Sequence, residues 1–198
     1  MTTATDKTAD LLGQVLTELA PVVGGVTDDQ LHDPTPCTEY DVGQLREHML
    51  GWLTIFAAGF ADPAGQAPLA STDGYQVPAD PAAGVRAAAS TISQAIRAGA
   101  ASRPLRLGDS GMPGEMALSM ILWEYQVHGW DLARATRQPW SPPPAAAEES
   151  LGFAPGMLTS DYQGEGKAFA PRVPVPDTAA PLDRLLGLSG RDPGWTPA

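Results

Sequence analysis

The chain has 198 residues, is 43% hydrophobic and 18% charged, and carries 23 acidic against 12 basic side chains for a net charge of −11. Its apolar content suffices for a core and excludes a disordered chain, while the acidic balance argues against nucleic-acid or anionic-membrane partners. The single cysteine excludes an internal disulfide; the polar start MTTATDKTAD lacks a signal peptide's apolar stretch, and no run nears the ~18–20 residues of a membrane span, so a soluble cytoplasmic protein is expected.

The first predicted helix runs from about Lys7 to Val23, where Leu11, Leu12, Val15, Leu16 and Leu19 recur at helical spacing. Gly24 and Gly25 punctuate its end, and TDDQLHDPTPCTEYD reads as loop. The second begins after Asp41, which forms a capping box with Gln44, and ends near Gly59. Val42, Leu45, Met49, Trp52, Leu53 and Phe56 make its apolar face. A Pro/Gly-rich loop separates it from an Ala-rich third helix over about Ala82–Ala100. Leu105–Leu107 reads as a short extended piece. The fourth helix starts near Pro113 and reaches about Arg137; Gly129 inside it costs roughly 1 kcal/mol relative to Ala, which points to close packing or a kink.

Four such helices predict an all-α four-helix bundle over residues 1–140. Residues 141–198 are expected to be an appendage packed on it without a second core: a short helix from about Ala145, an extended strap, and a short helix at Pro181–Leu188.

The chemistry concentrates in WEYQVHGWDLARAT, Trp123–Thr136. Glu124 and His128 are one helical turn apart and leave the same face. If the second and fourth helices face each other, His48 can join them. Two imidazoles and a carboxylate form a facial set for a divalent metal, with positions left open for water or substrate. The competing reading is a pair of core histidines with a carboxylate that happens to share a helix face.

Three stretches carry a family resemblance: TPCTEYDVGQLREHMLGWL (Thr35–Leu53), WEYQVHGWDLARATRQPW (Trp123–Trp140) and FAPRVPVPDTAAPLDRLLGLSGRDPGW (Phe169–Trp195). In order, they resemble the actinobacterial metal-binding proteins of the DinB-like superfamily, specifically the family named for the N-terminal domain of mycothiol-dependent maleylpyruvate isomerase. The last resembles the tail of a short subfamily. The resemblance implies a four-helix bundle whose metal, usually zinc, is held by His48, Glu124 and His128. It also implies mycothiol as cofactor or co-substrate, for isomerising a double bond or transferring the thiol to an electrophile. Two departures stand out. The isomerase has a further C-terminal domain contributing to its thiol site, where this sequence offers the strap, and Tyr40 stands where the family often has Trp.

Asp131, three residues after His128, is the catalytic candidate; it would orient a ligand or bind substrate, or else pair on the helix surface with Arg134. Trp52, Trp123 and Trp130 either wall a dry pocket or belong to the core. Cys37 is a packing residue or a reactive thiol, and His32 is expected to be exposed in its loop. Arg103 and Arg106 are solvated or meet an anionic substrate, and the loop holding Asp161, Tyr162 and Lys167 is a candidate lid.

The expected partners are a small-molecule substrate and a thiol, with no nucleic acid or membrane; exposed apolar faces on such bundles often pair, which leaves a homodimer open. Three readings compete with the thiol-using S-transferase or isomerase. One is a metal-dependent hydrolase or lyase in which water replaces thiol. Another is a non-catalytic bundle that sequesters a metal or ligand. The last is a purely structural interaction protein.

Overall fold

In a computed structural model, residues 3–68, 71–167 and 169–197 are described. Parts of the loop readings above fall on Leu69, Ala70 and Ala168 and lie outside them. The described residues form six α-helices and one two-stranded sheet: α1 (Ala4–Gly24), α2 (Val42–Ala61), α3 (Pro81–Arg97), β1 (Leu105–Leu107), β2 (Ser110–Met112), α4 (Gly114–Ala135), α5 (Pro144–Met157) and α6 (Pro181–Leu188). None of these helices is long and apolar enough to cross a membrane.

The helices start where the local chemistry directs them. Thr3 and Asp6 form a capping box at α1, and Asp41 and Gln44 form another at α2 with reciprocal bonds of 2.8 and 3.0 Å. Asp80 caps α3 by accepting from the Ala83 amide, and Pro81 occupies its first turn. The loop before α2 folds back on that helix: the Val42 amide donates to the Asp33 carbonyl and the Gly43 amide to the Leu31 carbonyl. This fixes how the Thr35–Tyr40 turn approaches the first turns of α2.

α1 packs on α3 and α4, and α2 packs on the same two helices. The main core runs between them, with Leu12, Leu16 and Leu19 of α1 meeting Leu45, Met49 and Leu53 of α2, Ile92 of α3 and Leu118 and Ile121 of α4. The segment after residue 140 adds an apolar cluster not expected from its sequence. Trp123, Val127 and Trp130, on the other side of α4, pack with Ala147 and Ala154 of α5 and Leu185 and Leu186 of α6. α4 is thus covered from both sides. A buried amide ties it to α5, because the Gln126 Nε2 group donates to the Ala146 carbonyl (3.2 Å) and the Ser150 hydroxyl (2.8 Å).

The extended piece at Leu105–Leu107 turns out to be half of a hairpin, with Leu107 opposite Ser110 and Leu105 opposite Met112. Gly108 takes a positive φ of 60° in the two-residue turn, a conformation glycine adopts without penalty. β2 carries little signal of its own, because Ser-Gly-Met has no alternating apolar pattern. The loop after α2 bonds to Arg106 in both directions, through the Ala67 amide and the Gly65 carbonyl, which holds β1 against α2.

Gly129 is explained by packing: a Cβ there would overlap the Trp140 ring. Gly129→Ala should therefore destabilise the protein by about 1–3 kcal/mol through overpacking, although alanine is the better helix former by roughly 1 kcal/mol. Denaturant unfolding measures this directly, and a net gain in stability would contradict the contact.

Candidate metal centre

α2 supplies His48, and α4 supplies Glu124 and His128. The two imidazole centroids are 5.5 Å apart and the rings meet edge to face at 75°. His128 Nε2 lies 3.3 Å from Glu124 Oε2. The three residues predicted from the sequence line the same two cavities.

Each imidazole is held from behind through its other nitrogen. His128 Nδ1 is 3.1 Å from Asp131 Oδ2. Asp131 has no exposed surface, and its charge is met by Arg191, whose Nη2 donates to Oδ2 at 3.1 Å and whose Nε lies 3.4 Å from Oδ1. Arg191 also donates to the Ser189 carbonyl at 3.0 Å. On the other side, the Tyr40 hydroxyl sits 3.3 Å from His48 Nδ1, and the two rings are tilted at 4.8 Å. With both Nδ1 atoms engaged, Nε2 is the nitrogen each histidine has left for a ligand. Such backing partners fix tautomer and ring orientation in metal sites.

The two histidines are tuned in opposite directions. Burial, followed by the charge of His128, lowers His48 to about 4, with Glu124 opposing. Burial also works to lower His128, but the hydrogen bonds to Asp131 and Glu124 outweigh it and raise His128 to about 9. His48 is consequently neutral at pH 7 while His128 holds a proton between two carboxylates.

Among the described residues, the group of cysteine, histidine and acidic side chains whose ligand atoms all lie within 4.8 Å of one another is Cys37, His128 and Asp131; His48 and Glu124 do not join it. Burial raises the Cys37 thiol, which keeps it protonated, and Asp131 is already committed to Arg191 and His128. The His48–Glu124–His128 set has a neutral imidazole, a partly exposed carboxylate and free space beside it.

That space consists of two cavities, both bordered by His48, Glu124 and His128. One, of about 300 Å³, is otherwise apolar and runs along Met49, Trp52, Phe56, Leu107, Met120 and Tyr125. The other, of about 490 Å³, is polar and bounded by Cys37, Glu39, Tyr40, Glu165, Lys167 and Arg191.

The other residues singled out from the sequence separate clearly. Of the tryptophans, Trp52 lines a cavity, whereas Trp123 and Trp130 belong to the second apolar cluster and the Trp123 Nε1 group donates to the Ser189 hydroxyl at 2.9 Å. Asp131 pairs with Arg191 and not with Arg134, whose Nε donates to the Trp195 carbonyl at 2.8 Å; Asp131 is turned inward while Arg134 is exposed. Arg103 is spent on the Phe60 and Asp62 carbonyls at the end of α2. His32 is exposed beside Asp41. Gly164–Lys167 borders the polar cavity, while Asp161 and Tyr162 are exposed and do not line it. Tyr40 and Arg191, which complete the site, were not predicted; the family's preference for an aromatic residue at position 40 was the one available signal.

The model of the family described as mycothiol maleylpyruvate isomerase N-terminal domain matches residues 12–133. Two uncharacterized proteins of Mycobacterium tuberculosis, from strains CDC 1551 / Oshkosh and ATCC 25618 / H37Rv, are each 33% identical over 172 residues, covering 87% of this chain and 91% of theirs. No solved structure matches the chain.

The opposed histidines give the metal-free protein a defined pH response. His128, raised in the folded state, contributes stability that is full below its unfolded value near 6.5 and is lost as pH rises through about 9. His48, depressed, contributes stability that is full above about 6.5 and is lost as pH falls toward about 4. Chelator-treated protein should therefore have its highest melting temperature near pH 6.5, and His128→Gln should flatten the alkaline side; an unchanged alkaline limb in that variant would refute the assignment.

Proposed function

The chain belongs to the mycothiol maleylpyruvate isomerase N-terminal domain family, and on that premise we propose that it is a divalent-metal-dependent enzyme that uses a low-molecular-weight thiol, mycothiol, for thiol transfer or isomerisation of a small electrophilic substrate. The metal is held by His48, Glu124 and His128, with zinc the first choice for two imidazoles and a carboxylate. The observation that carries this reading is the convergence of these three side chains, each imidazole tethered through Nδ1, at the junction of two cavities. In this reading α1–α4 are the DinB-like four-helix bundle over residues 1–140, and residues 141–198 are the appendage that completes the site.

When bound, the cation supplies Lewis acidity that favours thiolate, and the thiol supplies a nucleophile for an activated alkene, an epoxide or another soft electrophile. The protein's own residues prepare that chemistry. His48, with its depressed affinity for protons, presents a neutral nitrogen at neutral pH. Asp131 holds the His128 Nδ1–H and directs Nε2 toward the cation; it is a positioning residue, because it lines neither cavity. Arg191 pairs with Asp131 in its buried position. We assign the polar cavity to the thiol, since Lys167, Glu39 and Glu165 border it and offer partners to a hydrophilic molecule. The apolar cavity is left for the electrophile.

Elemental analysis of untagged protein should find about one divalent metal per chain, lost in His48→Ala and in His128→Ala with helical content preserved. Cys37→Ser should keep the metal, which separates this ligand set from the one containing Cys37. Full metal occupancy in either histidine variant, or its loss in Cys37→Ser, would sink the assignment. Thiol-dependent consumption of a soft electrophile then tests the reaction.

Asp131→Asn should still bind metal at saturation, with affinity weakened by about 10–100-fold. Competition against a chelator of known affinity reads this, and an unchanged affinity would remove Asp131 from the site.

A further inference from the structure

The apolar cavity says more about the substrate than the ligand set does. From its lining we infer that the substrate is a compound with an uncharged hydrophobic arm, a single ring or a short alkyl chain, which lies along α2 and β1 while its reactive end meets the metal. This rests on the metal reading of His48, Glu124 and His128 above.

The chamber walls are Met49, Trp52 and Phe56 from α2, Leu107 from β1, and Met120 and Tyr125 from α4. Trp52 and Phe56 stack with centroids 5.5 Å apart at 27°, giving a flat aromatic wall. Met49 and Met120 add unbranched thioethers that adapt to an irregular ligand. The one wall residue with a hydroxyl offers it elsewhere: Tyr125 Oη donates to the Met49 carbonyl at 2.6 Å. Apart from the Trp52 indole N–H, the remaining polar side chains of the lining are His48, Glu124 and His128. No lysine or arginine is among the described residues that line the chamber, so a carboxylate carried at the far end of the substrate would be desolvated without a partner. Its volume of about 300 Å³ is about twice the ~150 Å³ of an apolar cavity known to take up benzene. Trp52, Leu107 and Met120 are half-buried, so the chamber retains contact with solvent.

A small dicarboxylate would leave this volume unfilled and one charge unmet. A hydrophobic electrophile fills it and buries its apolar surface against Trp52 and Phe56.

Hydroxamates test this without any turnover, because the hydroxamate head binds the cation and the tail probes the chamber. On the metal-loaded full chain, calorimetric titration should show benzohydroxamate binding at least about tenfold more tightly than acetohydroxamate, as expected for burying a ring. 4-Carboxybenzohydroxamate should lose that gain. Met120→Glu should also lose that gain, with elemental analysis and helical content showing that the variant is metal-loaded and folded. Equal affinity for the two uncharged hydroxamates, or tighter binding of the carboxylated one, would overturn the hydrophobic arm and leave the metal site standing. No binding of any hydroxamate to wild type would sink the metal reading and this one with it.

Discussion

A carboxylate turned into the interior needs partners for its oxygens, and Asp131 is where this structure faces that demand. It lies inside α4 with no exposed surface and answers two groups at once, His128 from its own helix and Arg191 from 60 residues further along the chain. Satisfying it sets the orientation of the His128 ring. It also draws the segment after α6 to the centre of the molecule. The candidate site and the C-terminal packing are therefore parts of one electrostatic arrangement.

The two cavities follow from that arrangement. α2 and β1 close one side with aromatic and thioether groups, while the turn at Cys37–Tyr40 and the loop at Gly164–Lys167 close the other with charge and backbone. His48, Glu124 and His128 stand where they meet. The first chamber is lined from α2, α4 and β1; the second also takes residues from the chain after residue 140, which returns to α4 and buries Trp123, Val127 and Trp130 on the way. That burial accounts for the apolar character of α4 on the side away from the main core.

Much of this was legible in the sequence because it is local. Helical spacing brought Glu124 and His128 to one face, the Asp41–Gln44 pair marked the start of α2, and Gly129 signalled the close approach that Trp140 makes. What escaped was non-local. Nothing in the surroundings of Arg191 announces that its partner is Asp131, and Arg134 at helical spacing was the more obvious candidate. Tyr40 reaches His48 only because a loop folds back on α2. The division of the tryptophans depends on which side of α4 each occupies, and that side is defined by α5 and α6, which cover it from far along the chain.

The separation of Asp131 from Arg191 also has a temporal side. At roughly 5–20 residues per second, a ribosome delivers Arg191 about 3–12 seconds after Asp131, a gap of 60 residues. During that interval helices α1 to α4 are already made and can begin to pack. Of the two groups that meet Asp131 in the folded protein, His128 lies three residues away and is made almost with it. The guanidinium is the last of Asp131's partners to be made, so the buried carboxylate is completed only when the C-terminal segment is in place.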